Sequence, residues 1–126
     1  MIANEASEPW PWPDALDALA AAPQWHRLLF ENDQVRVLET RIAPGETTSV
    51  HTHRWPGVLY VRSFGHFVRR DGDGMLLVDS RQGGPLPQPG TGIWVDALPP
   101  HTLQNVDTSE IFVIGVEMKP KGGSTA

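Results

Sequence analysis

The 126-residue chain is long enough to bury one hydrophobic core and too short for a second domain. Its formal charge of −5 and pI near 5.4, with no basic cluster longer than Arg69-Arg70, argue against nucleic acid or an anionic membrane as partner. With no cysteine, disulfides, thiolate metal ligands and a cysteine nucleophile are excluded together, so the core itself must hold the fold.

The amino terminus, MIANEASEPW, has neither a basic region nor an apolar run, and no stretch of roughly eighteen apolar residues occurs anywhere. No signal peptide or membrane span is expected, which leaves the cytoplasm by elimination. Residues 1–13 form an arm ending in EPWPWP, where each proline removes an N–H donor and holds the preceding residue extended. Trp10 and Trp12 are costly to leave in water and are expected on a groove of the domain or of a partner subunit. A single domain is assigned to residues 14–118. It opens with DALDALAAAP, in which Asp14 caps a short helix of about two turns and Pro23 stops it.

Thereafter the pattern has period two. Strands are expected at Trp25 to Phe30, Val35 to Ile42, around His51 to His53, Val58 to Phe64, His66 to Arg69, Met75 to Val78, Ile93 to Val95, His101 to Val106 and Ile111 to Met118. Pro44-Gly45 and Asp71-Gly72-Asp73-Gly74 are the turns; the second lacks the further ligands and terminal glutamate of a calcium loop. Gly83 to Gly92 is a surface loop, and residues 119–126, KPKGGSTA, form a polar tail. Many short strands and one helix give an all-β sandwich or barrel, and periodicity does not choose between them.

The chemistry lies in PGETTSVHTHRWPGVLY. His51 and His53 are two apart, so a strand turns both imidazoles to one side, and a returning strand can bring His101 of PPHTLQN to the same point. Three neutral imidazoles suit zinc, iron, nickel or copper and do not suit calcium or magnesium. An isolated His-x-His is common, so the setting matters. Gly45, five residues, then His51-x-His53, followed by Gly90 and by His101 with Asn105 four further on, resembles the two motifs of the cupin superfamily over roughly residues 35–118. Three departures stand out. The family's first-motif glutamate falls at Gly57 or Val58, the Pro-x-Gly of the second motif reads Asp96-Ala97-Leu98, and the first motif's closing glycine is displaced to Gly65.

The resemblance implies a cupin jelly-roll barrel with a metal at its open mouth. Held by His51, His53 and His101 without a carboxylate, the cation keeps its full charge and favours a small-molecule anionic ligand. Cupins similar in having three histidines include iron(II) dioxygenases that cleave β-diketones or oxidise thiols. The leading expectation is therefore a mononuclear non-haem iron(II) dioxygenase acting on a small anionic chelating substrate, with Fe2+ ahead of Zn2+, Ni2+, Mn2+ or Cu2+. Alternation from Gly57 points to Leu59 and Val61 as inward wall residues, with Trp94, Phe112 and His66 as further pocket candidates. His26 and His66 stand alone in sequence, where a histidine is more often satisfied or on the surface. A glutamate at position 57 is expected to reach the metal, and metal loss is expected near pH 5 to 6, given an imidazole pKa of about 6.5. The alternatives are a non-catalytic metal-stabilised binding or sensing cupin, a zinc or manganese hydrolase or isomerase, and an empty vestigial pocket. A homodimer is expected, because small cupins commonly pair and the arm needs cover.

Overall fold

The computed structural model describes residues 9–121. The arm assigned to residues 1–13 is therefore described from Pro9 and the tail to Lys121, and the rest of each lies outside the described residues. The chain is mainly β. Its strands are β1 (His26–Glu31), β2 (Val35–Ile42), β3 (His51–His53), β4 (Gly57–Ser63), β5 (Phe67–Asp71), β6 (Leu76–Asp79), β7 (Gly92–Val95), β8 (Leu98–Asn105) and β9 (Ile111–Met118). They form two facing sheets, β1-β2-β9-β4-β7 and β3-β8-β5-β6, in which every pairing between strands is antiparallel.

The expected two-turn helix is divided. Asp14–Leu16 is a single 3-10 turn, and a four-residue helix α1 (Ala18–Ala21) follows. Asp17 separates them because its backbone is extended, at ψ 147°, and bridges to Thr52. Asp17, rather than Asp14, caps the helix by accepting from the Leu19 N–H at 3.1 Å. Among the described residues no helix is long and apolar enough to cross a membrane.

The inward faces follow from alternation. On β2 the inner side carries Arg36, Leu38, Thr40 and Ile42; on β9 it carries Ile111, Val113, Gly115 and Glu117. Leu38, Ile42, Val61 and Ile111 are almost wholly buried and close one part of the interior. Gly45, at φ +85°, makes the turn into β3, and its N–H donates to the Asn105 carbonyl at 2.9 Å. Asn105 is fully buried and repays that contact. Its Nδ2 donates to the carbonyls of Ile42 and Ser109 at 2.9 and 2.8 Å, and its Oδ1 accepts from the Asp107 N–H. The two motif glycine and asparagine positions thus tie the β2–β3 turn to the end of β8, and that fixes where β3 begins.

Candidate metal centre

β3 and β8 pair so that His51 lies directly opposite His101, and the register slips before His53, which faces Leu98. The four-stranded sheet therefore delivers three imidazoles to one end of the interior. His26, the first residue of β1, comes to the same place from the other sheet. Ligand atoms of His26, His51 and His53 all lie within 4.8 Å of one another. Ring centroids are 4.7 Å apart for His26 and His51, 5.2 Å for His26 and His53, 5.1 Å for His51 and His53, 4.4 Å for His51 and His101, and 5.8 Å for His53 and His101. An imidazole nitrogen bonded at roughly 2.1 Å puts its ring centroid roughly 3.2 Å from the metal, so rings at right angles stand roughly 4.5 Å apart and tetrahedral ones about 5.2 Å. The observed separations bracket those values.

Each ring is oriented by its δ nitrogen. Nδ1 of His26 donates to the Ala22 carbonyl at 3.0 Å, that of His51 to Ser49 at 2.8 Å, and that of His101 to Pro99 at 2.7 Å. A carbonyl can only accept, so each of these δ nitrogens carries the proton and each ε nitrogen presents a lone pair. His53 Nδ1 meets the Glu117 carboxylate at 2.8 Å. Among the described residues no hydrogen bond reaches any of the four ε nitrogens. Burial, together with the neighbouring imidazoles, pushes the pKa of His26, His53 and His101 down to about 3, and burial lowers that of His51. His26, His53 and His101 are thus neutral at pH 5 to 6. The expectation of proton-driven metal loss in that range, based on an unperturbed imidazole, is corrected by this desolvation.

The carboxylate missing from position 57 stands one strand away. Glu117 is the cross-strand partner of Gly57, and also of Arg36. Its Oε1 accepts from Arg36 Nε at 2.8 Å while its Oε2 holds His53, and both terminal nitrogens of Arg36 bond Asp17 at 2.9 Å. Burial raises the Glu117 pKa against the opposing pull of Arg36. A cation bound by His53 would therefore feel a carboxylate through that ring, and its charge is not left wholly unbalanced. Position 57 itself accepts no side chain: a Cβ there would lie 1.9 Å from the Val116 carbonyl oxygen. The expectation that a glutamate at 57 reaches the metal is corrected accordingly.

The histidines open onto a cavity of about 160 Å³ with mostly apolar walls, among them Leu38, Leu59, Phe64, Phe67 and Ile93. Leu59 is on that wall. Val61, on the same face of β4, is fully buried in the core and does not line the cavity. Trp94 and Phe112 also lie outside it, because alternation gives the inward positions to their neighbours Ile93, Val95, Ile111 and Val113. Trp94 is 60% exposed and donates to Asp96, and Phe112 lies beneath the Arg41 and Arg62 guanidinium groups. His66 is likewise off the cavity, with Nδ1 3.0 Å from the Ser80 hydroxyl.

Sequence reasoning missed His26 and Glu117. His26 carries no local signal, since only the packing of β1 over β3 makes it a neighbour of His51. Glu117 was readable in principle: IFVIGVEM alternates, and an acidic residue on its apolar side requires a partner, which Arg36 supplies from the apolar side of β2.

No family model matches the chain, and no curated protein matches it. Solved structures do. A cupin domain from Bordetella pertussis Tohama I superposes with a TM-score of 0.58 at 20% identity, covering 75% of this chain and 92% of that one. An RmlC-like cupin with a double-stranded β-helix fold from Methanocaldococcus jannaschii gives 0.53 at 14% identity, with 75% and 78% covered. The cupin domain of an XRE family transcriptional regulator from Enterobacter cloacae gives 0.50 at 19% identity, with 76% and 96% covered. The chain has the cupin fold, an RmlC-like double-stranded β-helix. Within it stands a histidine cluster able to hold a metal ion.

Proposed function

We propose that the cavity is the site of a metal-dependent cupin, a mononuclear non-haem iron(II) dioxygenase-like protein acting on a small anionic chelating substrate. One observation carries the reading: four buried or half-buried imidazoles line one cavity with unprotonated ε nitrogens, and among the described residues no hydrogen bond meets them. His51 and His53 would hold the ion together with His26, whose ligand atoms lie within 4.8 Å of theirs, and His101, whose ring centroid is 4.4 Å from that of His51 and 5.8 Å from that of His53, is placed to join them. Iron, when bound, supplies Lewis acidity and redox chemistry toward dioxygen. The chain's own part is to fix ring orientation through the δ-nitrogen bonds and to exclude water with Leu38, Leu59, Phe64 and Phe67. Glu117 holds His53 in one tautomer, while Arg36 and Asp17 hold Glu117.

A second reading, a metal-stabilised binding module without turnover, is favoured by a different observation. The four δ nitrogens and both Glu117 oxygens are already committed, so none of these groups is free to act as a general base. The same commitment counts against the zinc or manganese hydrolase or isomerase. A cytoplasmic homodimer belongs to the leading reading, supported by the apolar side chains of Met75, Leu76 and Leu77 exposed at the β6 edge.

Metal analysis of untagged protein, followed by oxygen consumption with a panel of β-diketones and thiols, tests the reading. About one iron per chain and substrate-dependent uptake are expected, from a species sedimenting at twice 13.9 kDa. Bound iron with no uptake would leave the binding module. Absence of any bound metal would refute both.

A further inference from the structure

Arg69, on β5, is directly opposite Leu103 of β8, and both residues line the cavity that the histidines face. Its Nε is buried and has no hydrogen-bond partner among the described residues. Every other described arginine has compensation. Arg27, Arg36, Arg41 and Arg81 meet carboxylates, Arg70 meets the Gly74 carbonyl, and Arg54 and Arg62 lie over aromatic rings. Arg69 alone among them has neither an acceptor nor a ring. Arg69 is half-buried, and it is the Nε, shut away from water without an acceptor, that is costly until an anion meets it; no carboxylate of the described residues does so. Burial accordingly lowers its pKa, with no opposing charge to offset the shift.

We propose that Arg69 is the anion anchor of this cavity and that it selects a small monocarboxylate with an apolar body. A guanidinium offers parallel N–H donors that match the two oxygens of a carboxylate. A phosphate dianion carries more charge than these walls can solvate, and about 160 Å³ limits the apolar part to roughly the size of a benzene ring. The inference deepens the proposed function, and rests on it for the carboxylate being a substrate rather than only a ligand. It adds that the chelating enol or thiol of that reading also carries a carboxylate.

Benzoate and its neutral isostere benzamide, titrated calorimetrically into chelator-treated and iron-loaded protein, test it. Benzoate is expected to bind wild type at least about tenfold more tightly than benzamide in both forms. Arg69→Met should abolish that preference and Arg69→Lys should retain part of it. Without ligand, Arg69→Met should melt at or above the wild-type temperature, because an uncompensated charge has been removed. Equal binding of the two ligands by wild type, a preference surviving in Arg69→Met, or an Arg69→Met protein that melts earlier would overturn the proposal. An Arg69-dependent preference without iron binding would support it and sink the metal reading alone. Bound iron without any preference would do the reverse.

Discussion

The two sheets hold their polar groups against the same cavity by different means. On the four-stranded sheet, His51 and His101 are fixed by carbonyls two residues back along the chain, Ser49 and Pro99. These are local, neutral bonds. On the five-stranded sheet the polar element is the pair Arg36 and Glu117, extended by Asp17 at the helix cap into a chain of charges that ends on His53 and joins residues up to 81 apart in sequence. The first arrangement positions a ring at little electrostatic cost. The second is stable only while complete, because each member removed strands a buried charge.

The contrast can be broken first at the ligands. His51→Ala, from the local side, should release most of the bound metal, measured by elemental analysis after dialysis. His26→Ala, from the opposite sheet, should lower affinity further than loss of a bystander would; unchanged metal content in both variants would dissolve the centre. Next in size is Arg36→Met, which leaves Glu117 and Asp17 without their counter-charge. A loss of about 3–5 kcal/mol in denaturant unfolding is expected. The matched cut on the other sheet, Thr48→Val, removes one acceptor for the Leu103 N–H and should cost about 1 kcal/mol. Equal losses would erase the distinction drawn between the sheets.

The smallest and most gradual effect is on pH. For His26, His53 and His101 the folded pKa of about 3 lies below the unfolded value of about 6.5, so below pH 6.5 the unfolded chain takes up protons that the fold refuses. Their contribution is complete above pH 6.5 and is lost as pH falls toward 3. Asp17 acts in the same sense at lower pH. Burial raises its pKa but the Arg36 bonds lower it more, leaving it below its usual range. Glu117, raised by burial, opposes the trend. Metal-free protein should therefore show a denaturation midpoint that declines steadily from pH 6.5 to 3; a flat profile would mean that the rings protonate in the fold.

Much of this was legible residue by residue. His51 and His53 had to share a face once β3 was a strand, and Gly45 and Asn105 marked the turn and the strand end that position it. Leu59 followed from alternation. The same rule fails for Val61, and Trp94 and Phe112 were misplaced without it, for two reasons. Alternation says which side of a strand a residue is on, but not how far along the interior the cavity extends, and the phase of a short strand such as β7 is set by its neighbour in the sheet. His26 is the plainest loss, since a single histidine before an apolar run has no partner until β1 is laid against β3.

By itself the sequence determined the period-two strands, the turns at glycine, the pairing of His51 with His53, and the absence of thiol chemistry, because each depends only on local geometry or residue type. Tertiary structure alone decided that His26 comes within 4.8 Å of the ligand atoms of His51 and His53, that a carboxylate reaches His53 from the strand beside Gly57, and that Arg69 lines the cavity without a counter-charge. Those facts concern the distance between residues far apart in the chain, and electrostatic coupling depends on that distance and on burial, which no stretch of sequence carries on its own.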